Sequence, residues 1–175
     1  LHPGPGFGGS CFPKDTQAFA ALSRENELTM NTIEAAIKAN QYQKDRMVKK
    51  MKHLVGGHFK DKKISILGLA FKPNTDDVRD SASIDMINAI KKGGGSVRAY
   101  DPIANEMMND IIDDIKYFKS WEDACLDADG VAIMTEWNEF RAINLEQLKK
   151  IMNEPVLLDT RNIINIKKLN KQKFK

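Results

Sequence analysis

From Lys63 onward, short apolar runs alternate with segments of helical period, and this alternation constrains the fold more than any other feature. Ile64-Ser65-Ile66-Leu67-Gly68-Leu69 reads as a buried strand. A helix through Ile84, Ile87 and Ile90 follows, opened by Ser81 or Ser83 and stopped at Gly93-Gly94-Gly95. Val97-Arg98-Ala99-Tyr100 is a second strand, followed by a short helix over 106–110 and a weak strand over 116–118. A helix over 121–128, a strand over 131–134, a helix over 145–152 and a strand over 156–158 complete the series. Strands that alternate with helices close through right-handed crossovers, with helices on both faces of the sheet. The expected class is therefore α/β, with a Rossmann-like parallel sheet.

The upstream part follows another rule. Residues 1–14 are dense in Gly and Pro, which excludes regular helix or strand. Asp15 or Thr16 is placed to cap a short helix that carries Phe19 and Leu22. A longer helix begins near Thr29 or Asn31 and runs to about Leu54, with Ile33, Ile37, Met47, Met51 and Leu54 at helical spacing. Asn40, Gln41 and Lys44 interrupt that apolar stripe. At about 1.5 Å per residue the helix spans roughly 36 Å, the length of a strut or a subunit contact. Gly56-Gly57 ends it. The expected division is a loop-and-helix region, 1–57, and a sheet domain, 58–175. The sequence opens without an initiator Met inside the glycine-rich loop, which predicts a piece of a longer polypeptide.

Composition narrows the function. Hydrophobic residues make up 42% and charged residues 29%, enough to bury a core. Lys+Arg of 27 against Asp+Glu of 24 leaves a net charge of +3, spread along the chain apart from a Lys-rich end. Neither a nucleic-acid groove nor a membrane-binding face is expected from that balance. No apolar run approaches the roughly 20 residues that span a bilayer. Cys11 and Cys125 form no CxxC pair and no signal-peptide pattern is present, so a reduced, cytoplasmic setting is expected. His2, His53 and His58 have no metal-site spacing.

Gly4-Pro5-Gly6-Phe7-Gly8-Gly9 formally satisfies the G-x-G-x-x-G dinucleotide fingerprint. No strand precedes it, Pro5 lies inside it, and no acidic residue closes a second strand about 20 positions on, so that reading fails. Ile66-Leu67-Gly68-Leu69-Ala70-Phe71 keeps the strand with a single glycine, which is the fold without the pyrophosphate loop. The glycine loop instead offers a backbone cradle that leads into Ser10-Cys11-Phe12-Pro13-Lys14-Asp15. Cys11 stands just before a helix start and beside Lys14, both of which favour a thiolate. A buried, inert cysteine satisfies the same residues equally well. Asp15 is either a helix cap or an acid–base group, and Lys14 alone reads as a solvated lysine.

The run from Gly4 to Asp15 resembles the active-site segment of the UDP-glucose/GDP-mannose dehydrogenase family, and is most like its UDP-glucose branch. A second block, Gly68-Leu69-Ala70-Phe71-Lys72-Pro73-Asn74-Thr75-Asp76-Asp77-Val78-Arg79-Asp80-Ser81, resembles the family's C-terminal domain. So do Tyr100-Asp101-Pro102, Thr135-Glu136-Trp137 and Asp159-Thr160-Arg161-Asn162, although the family usually has Gly where Thr160 stands. The resemblance implies an NAD-dependent, four-electron oxidation of UDP-glucose to UDP-glucuronate through a cysteine thiohemiacetal and thioester. It makes Cys11 the nucleophile, Asp15 its general base or water orienter, and Lys14 a residue on the NAD side. Leu1, His2, Pro3, Gly4, Phe7 and Gly8 become the cradle of the nucleotide sugar. Phe71 and Lys72, at the carboxyl end of the first sheet strand, become nucleotide and diphosphate contacts, with Arg161 a further substrate contact. Arg79 maps to a family arginine that reaches NAD, whereas by residue chemistry it is a surface partner for Asp76, Asp77 or Asp80. Trp137 reads as packing. The resemblance also implies an NAD-binding domain N-terminal to this chain and a homodimer joined through the long helix. A GDP-mannose or UDP-N-acetyl-hexosamine 6-dehydrogenase is the same-class alternative, and a non-catalytic nucleotide-sugar-binding module is the alternative from another class.

Overall fold

Five parallel strands organise the computed structural model, which describes residues 3–175. Leu1 and His2, both expected at the substrate cradle, lie outside the described residues. The strands are β1 (Lys63–Leu67), β2 (Ser96–Tyr100), β3 (Lys116–Tyr117), β4 (Gly130–Ile133) and β5 (Leu157–Asp159). They are ordered β3-β2-β1-β4-β5, and every neighbouring pair is parallel. The helices are α1 (Phe12–Glu25), α2 (Asn31–Leu54), α3 (Ala82–Lys92), α4 (Asn105–Asn109), α5 (Trp121–Cys125), α6 (Asn138–Arg141), α7 (Leu145–Ile151) and α8 (Ile166–Lys171).

Strand side chains alternate between two buried layers, as the pleat requires. Ile64, Ile66, Ala99, Ala132 and Leu158 face one layer, covered by Met47, Met51 and Val55 at the end of α2, by Met86, Ile87 and Ile90 of α3, and by Met108 of α4. Leu67, Tyr100, Val131, Ile133 and Leu157 face the other, covered by Trp121, Ala124 and Cys125 of α5, Phe140 of α6, and Leu145 and Leu148 of α7. Helices therefore lie on both faces, as the alternation predicts. The last turns of the long helix are part of this packing, so Met47 and Met51 are sheet-covering residues.

Several boundaries differ from those expected. Helix α1 starts at Phe12, earlier than an Asp15 or Thr16 cap requires, because Pro13 suits a first turn whose N–H groups need no partner. Asp15 lies inside the helix, and Thr16 donates its hydroxyl to the carbonyls of Phe12 (2.7 Å) and Pro13 (3.0 Å). Helix α5 stops at Cys125, and the chain reverses through Asp127 at φ 56°. Helices α6 and α8 were not expected at all. Ser81 caps α3 as expected, accepting from the Ser83 N–H, and Gly93 follows its last residue. Among the described residues no helix is long and apolar enough to cross a membrane.

Candidate functional site

The strand order reverses at β1, and open parallel sheets bind ligands beyond the carboxyl ends of the strands at such a point. Gly68 leaves β1 at φ 92°, and a Cβ there would stand 2.5 Å from Thr135 Cβ, so glycine alone lets the β1 and β4 loops touch. Buried Asp101, just past β2, ties three strand ends together. Its Oδ2 accepts from Leu69 N–H (2.7 Å), Ala70 N–H (3.2 Å) and Trp137 Nε1–H (3.1 Å). Its Oδ1 accepts from the N–H groups of Ile103 and Ala104, each at 3.0 Å. This scaffold sets the positions of Phe71 on one loop and Glu136 on the next.

Arg161 follows β5 and is folded into the same place. Nε donates to the Met134 carbonyl (2.8 Å) and Nη2 to the Phe71 carbonyl (2.9 Å). Burial lowers the Arg161 pKa from its ordinary value, and the Glu136 carboxylate acts in the opposite direction. Glu136 Oε2 is 3.1 Å from Arg161 Nε, but that N–H is spent on Met134, so the buried oxygen is in ion-pair range without a hydrogen bond. It remains an acceptor for a donor from the adjoining cavity of about 160 Å³, lined by Pro3, Glu136, Arg141, Arg161, Asn162 and Ile163. Gly4 closes over the guanidinium: a Cβ there would sit 3.1 Å from Nη1. A larger depression of about 670 Å³ shares Arg141 and Ile163 and runs under α8, away from the strand ends that carry the candidate residues.

The glycine loop is held from two sides. Toward the sheet, Gly9 N–H donates to the Arg79 carbonyl (2.8 Å), and a Cβ on Gly8 would lie 2.5 Å from the Asp80 carbonyl oxygen. Toward α2, Gln43 Nε2 donates to the Gly4 carbonyl (2.8 Å), and Asn40 bonds both main-chain groups of Phe7. Lys44, almost wholly buried, donates to the Asp80 carbonyl (3.1 Å) and pairs with Asp85 (3.0 Å).

Cys11 emerges from this loop as the N-cap residue of α1, exposed, with Ser10 Oγ 3.6 Å from its sulfur. The exposed thiol is thus the reading the structure supports. Cys125 is the buried one, and desolvation pushes its thiol up to about 12. Asp15 lies one turn after Cys11, its N–H on the Cys11 carbonyl (2.8 Å) and its carboxylate 3.3 Å from Lys14 Nζ, both side chains well solvated. Arg79 forms a two-point pair with Asp77, Nε to Oδ1 and Nη2 to Oδ2 at 2.9 Å each, which is the surface pairing its residue chemistry allowed. The Arg79 hydrogen bond holds the Asp77 carboxyl below its ordinary value. Asp77 raises Arg79 in turn, with a smaller contribution of the same sign from Cys11. Lys72 Nζ stands 5.3 Å over the Phe71 ring. Trp137 packs and donates to Asp101, as expected of a structural residue.

The fold therefore gathers Pro3, Gly4, Gly8, Phe71 and Arg161 into one region, Phe7 lies toward Asn40 and Phe12, and Lys14, Asp15 and Lys72 extend into solvent. Sequence reasoning missed Asn40, Gln43, Lys44, Asp101 and Glu136 as parts of the site. Its one sign for Asn40 and Lys44 was the polar break in the α2 stripe. Among the described residues no group of three His, Cys, Asp or Glu could hold a metal ion.

A sequence profile of the UDP-binding domain of the UDP-glucose/GDP-mannose dehydrogenase family matches residues 65–166, and one of the family's central domain matches residues 1–42. The chain belongs to the UDP-glucose/GDP-mannose dehydrogenase family. A UDP-glucose 6-dehydrogenase of Rhizobium meliloti (strain 1021) is 39% identical over 175 residues, 100% of this chain and 40% of that protein. One of Bacillus subtilis (strain 168) is 38% identical over 170 residues, 97% of this chain and 37% of that protein. A solved UDP-glucose dehydrogenase from Pyrobaculum islandicum superposes with a TM-score of 0.83 at 32% identity, over 91% of this chain and 35% of that one. The chain spans about two fifths of the length of the curated relatives it matches. Within the dehydrogenase family, these two matched regions are the ones the structure joins through α2.

Proposed function

We propose that this chain supplies the cysteine loop and the UDP-binding domain of an NAD-dependent UDP-glucose 6-dehydrogenase, which oxidises UDP-glucose to UDP-glucuronate. The observation that carries this reading is the seating of the Cys11 loop on the strand ends that hold Phe71 and Arg161. In this reading 1–57 is the catalytic and connecting region and 58–175 the nucleotide-sugar domain. Arg161 and Lys72 offer charge to the diphosphate and Phe71 an apolar face to the nucleotide, while the backbone from Leu1 to Gly8, with His2, Pro3, Gly4 and Phe7, cradles the sugar. The cavity of about 160 Å³ is smaller than the roughly 300–1,000 Å³ of complete ligand sites, which fits a site that closes against another part of the polypeptide.

Lys14 and Arg79 are exposed cations on the Cys11 side of the loop, where they suit an anionic dinucleotide, and we assign them to NAD. Two NAD molecules, bound in turn, would each take one of the two hydrides that leave the sugar carbon. Cys11 thiolate adds to the aldehyde carbon, forming a C–S bond, and the aldehyde oxygen takes a proton. That thiohemiacetal keeps the half-oxidised sugar in place, and its oxidation leaves a thioester on Cys11. Asp15 then orients and deprotonates the water that displaces the thiolate and completes the carboxylate. Its pairing with Lys14 is solvent-exposed and weak, so the carboxylate is free to turn to a water. A reducing cytoplasm keeps the exposed thiol in this working state.

The test is a panel of UDP-glucose, UDP-N-acetyl-hexosamine and GDP-mannose, assayed with NAD in a polypeptide that carries this chain together with a dinucleotide-binding domain. UDP-glucose should give the highest kcat/KM. Turnover of GDP-mannose alone, or binding of UDP-glucose without any NAD reduction, would contradict the proposal.

A further inference from the structure

We infer that Asn40 is a positioning residue for Cys11: its carboxamide grips the peptide of Phe7 and so sets where the thiol stands. The inference rests on the reading of Cys11 as the nucleophile. Phe7 N–H donates to Asn40 Oδ1 (2.7 Å), and Asn40 Nδ2 donates back to the Phe7 carbonyl (3.0 Å). One side chain thus captures both main-chain groups of one residue, which needs an acceptor and a donor side by side, as a carboxamide has. The chain comes close to be gripped. Gly6 is at φ 129°, and a Cβ on it would stand 2.8 Å from Asn40 Oδ1.

The grip reaches Cys11 through the Phe7 ring. The Phe7 ring packs edge-on against Phe12, the residue after Cys11, with ring centroids 4.6 Å apart. Between them the loop is pinned again where Gly9 N–H meets the Arg79 carbonyl (2.8 Å). Cys11 is therefore bracketed by Phe7, which Asn40 holds, and by Phe12, which packs on Phe7. One turn further along α2, Lys44 holds the Asp80 carbonyl against which Gly8 lies, so the same face of α2 registers the cysteine loop on the β1 loop. Asn40 touches none of the atoms proposed to react. Its effect acts through geometry, and errors of about 1 Å at a reacting centre cost on the order of a hundredfold in rate.

Hydride removal from the alcohol needs no thiol, whereas capture of the aldehyde does. A misplaced Cys11 therefore spares the first oxidation and fails at the second, whereas loss of fold lowers both together. The experiment uses Asn40→Asp, which keeps the acceptor and replaces the donor by a second acceptor, and Asn40→Ser, which is small and uncharged. Both are made in the polypeptide with its dinucleotide-binding domain and assayed with UDP-glucose, NAD and semicarbazide as an aldehyde trap, alongside thermal melting. Expected is at least a tenfold rise in the share of sugar trapped as aldehyde, with NADH exceeding two per UDP-glucuronate. Two NADH per acid with no trapped aldehyde in either variant would overturn the inference, as would a parallel loss of both oxidations. A parent protein that oxidises no nucleotide sugar would contradict the proposed function itself, and this inference with it.

Discussion

Cys11 and Cys125 show how environment decides what a residue type can do. The first is exposed at a helix start on a loop of close-packed backbone; the second is sealed among Trp121, Leu148 and the sheet. Sequence could bring Cys11 only as far as an even choice between these fates, because exposure depends on which loop covers it. The buried groups give a pH signature. Cys125 is raised from 9.0 to about 12 and Tyr117 from 10.0 to about 12, in both cases first by desolvation. Tyr100, also desolvated and donating its hydroxyl to both Glu139 oxygens, is raised too. A raised folded pKa gives stability that is complete below the unfolded value and lost as pH climbs toward the folded one. The unfolded chain loses these protons first, so the urea midpoint should fall steadily above pH 9.0 toward about 12. Cys125→Ala should remove the earliest part of that fall. A midpoint that stays level from pH 9 to 11 would show that these groups are not desolvated in this way.

At the scale of elements, α2 joins the two regions. Its last turns cover the sheet with Met47 and Met51, while Asn40, Gln43 and Lys44 hold the glycine loop. Met51 is fully buried, so Met51→Ala should cost about 2–5 kcal/mol in urea denaturation. A loss below about 1 kcal/mol would place the end of α2 off the sheet. Strands β1, β2, β4 and β5, with α2 and α3, were legible because their apolar runs are continuous, their periods long or their caps explicit, whereas β3 is two residues and showed only weakly. The start of α1 was not, since Pro13 invites a later helix start if it is read only as a breaker. Helix α6 is a single turn with one buried side chain, Phe140, too short to show a period. Helix α8 lies in the Lys-rich end; its apolar anchor is Leu169, with Phe174 beyond it, against the second layer, and its C-cap Gln172 is tied to Lys149 and Glu146 of α7. Tertiary contact created those two helices. The site was legible as blocks of residues, but the supports of Asp101 and Asn40 are long-range bonds that no local pattern announces.

For the whole molecule, the exposed face of α2 bears on assembly. Ile33 and Ile37 are half-buried and Met47 is in the core, whereas Ala35, Ala39 and Tyr42 share an exposed side. We propose that this side meets a second copy of the chain. Light scattering should then give twice the chain mass, and Tyr42→Glu should shift it toward a single chain. One-chain mass at every concentration would refute the dimer. The proposed chemistry makes a stronger demand: the aldehyde must be held covalently on Cys11 between the two oxidations. The decisive measurement is the stoichiometry of NADH and UDP-glucuronate formed per UDP-glucose by a polypeptide that carries this chain together with a dinucleotide-binding domain, beside Cys11→Ser. Two NADH and one acid per sugar, with acid formation abolished in Cys11→Ser, is the result this account predicts. One NADH per sugar, or acid formed at a near-normal rate by Cys11→Ser, would contradict it.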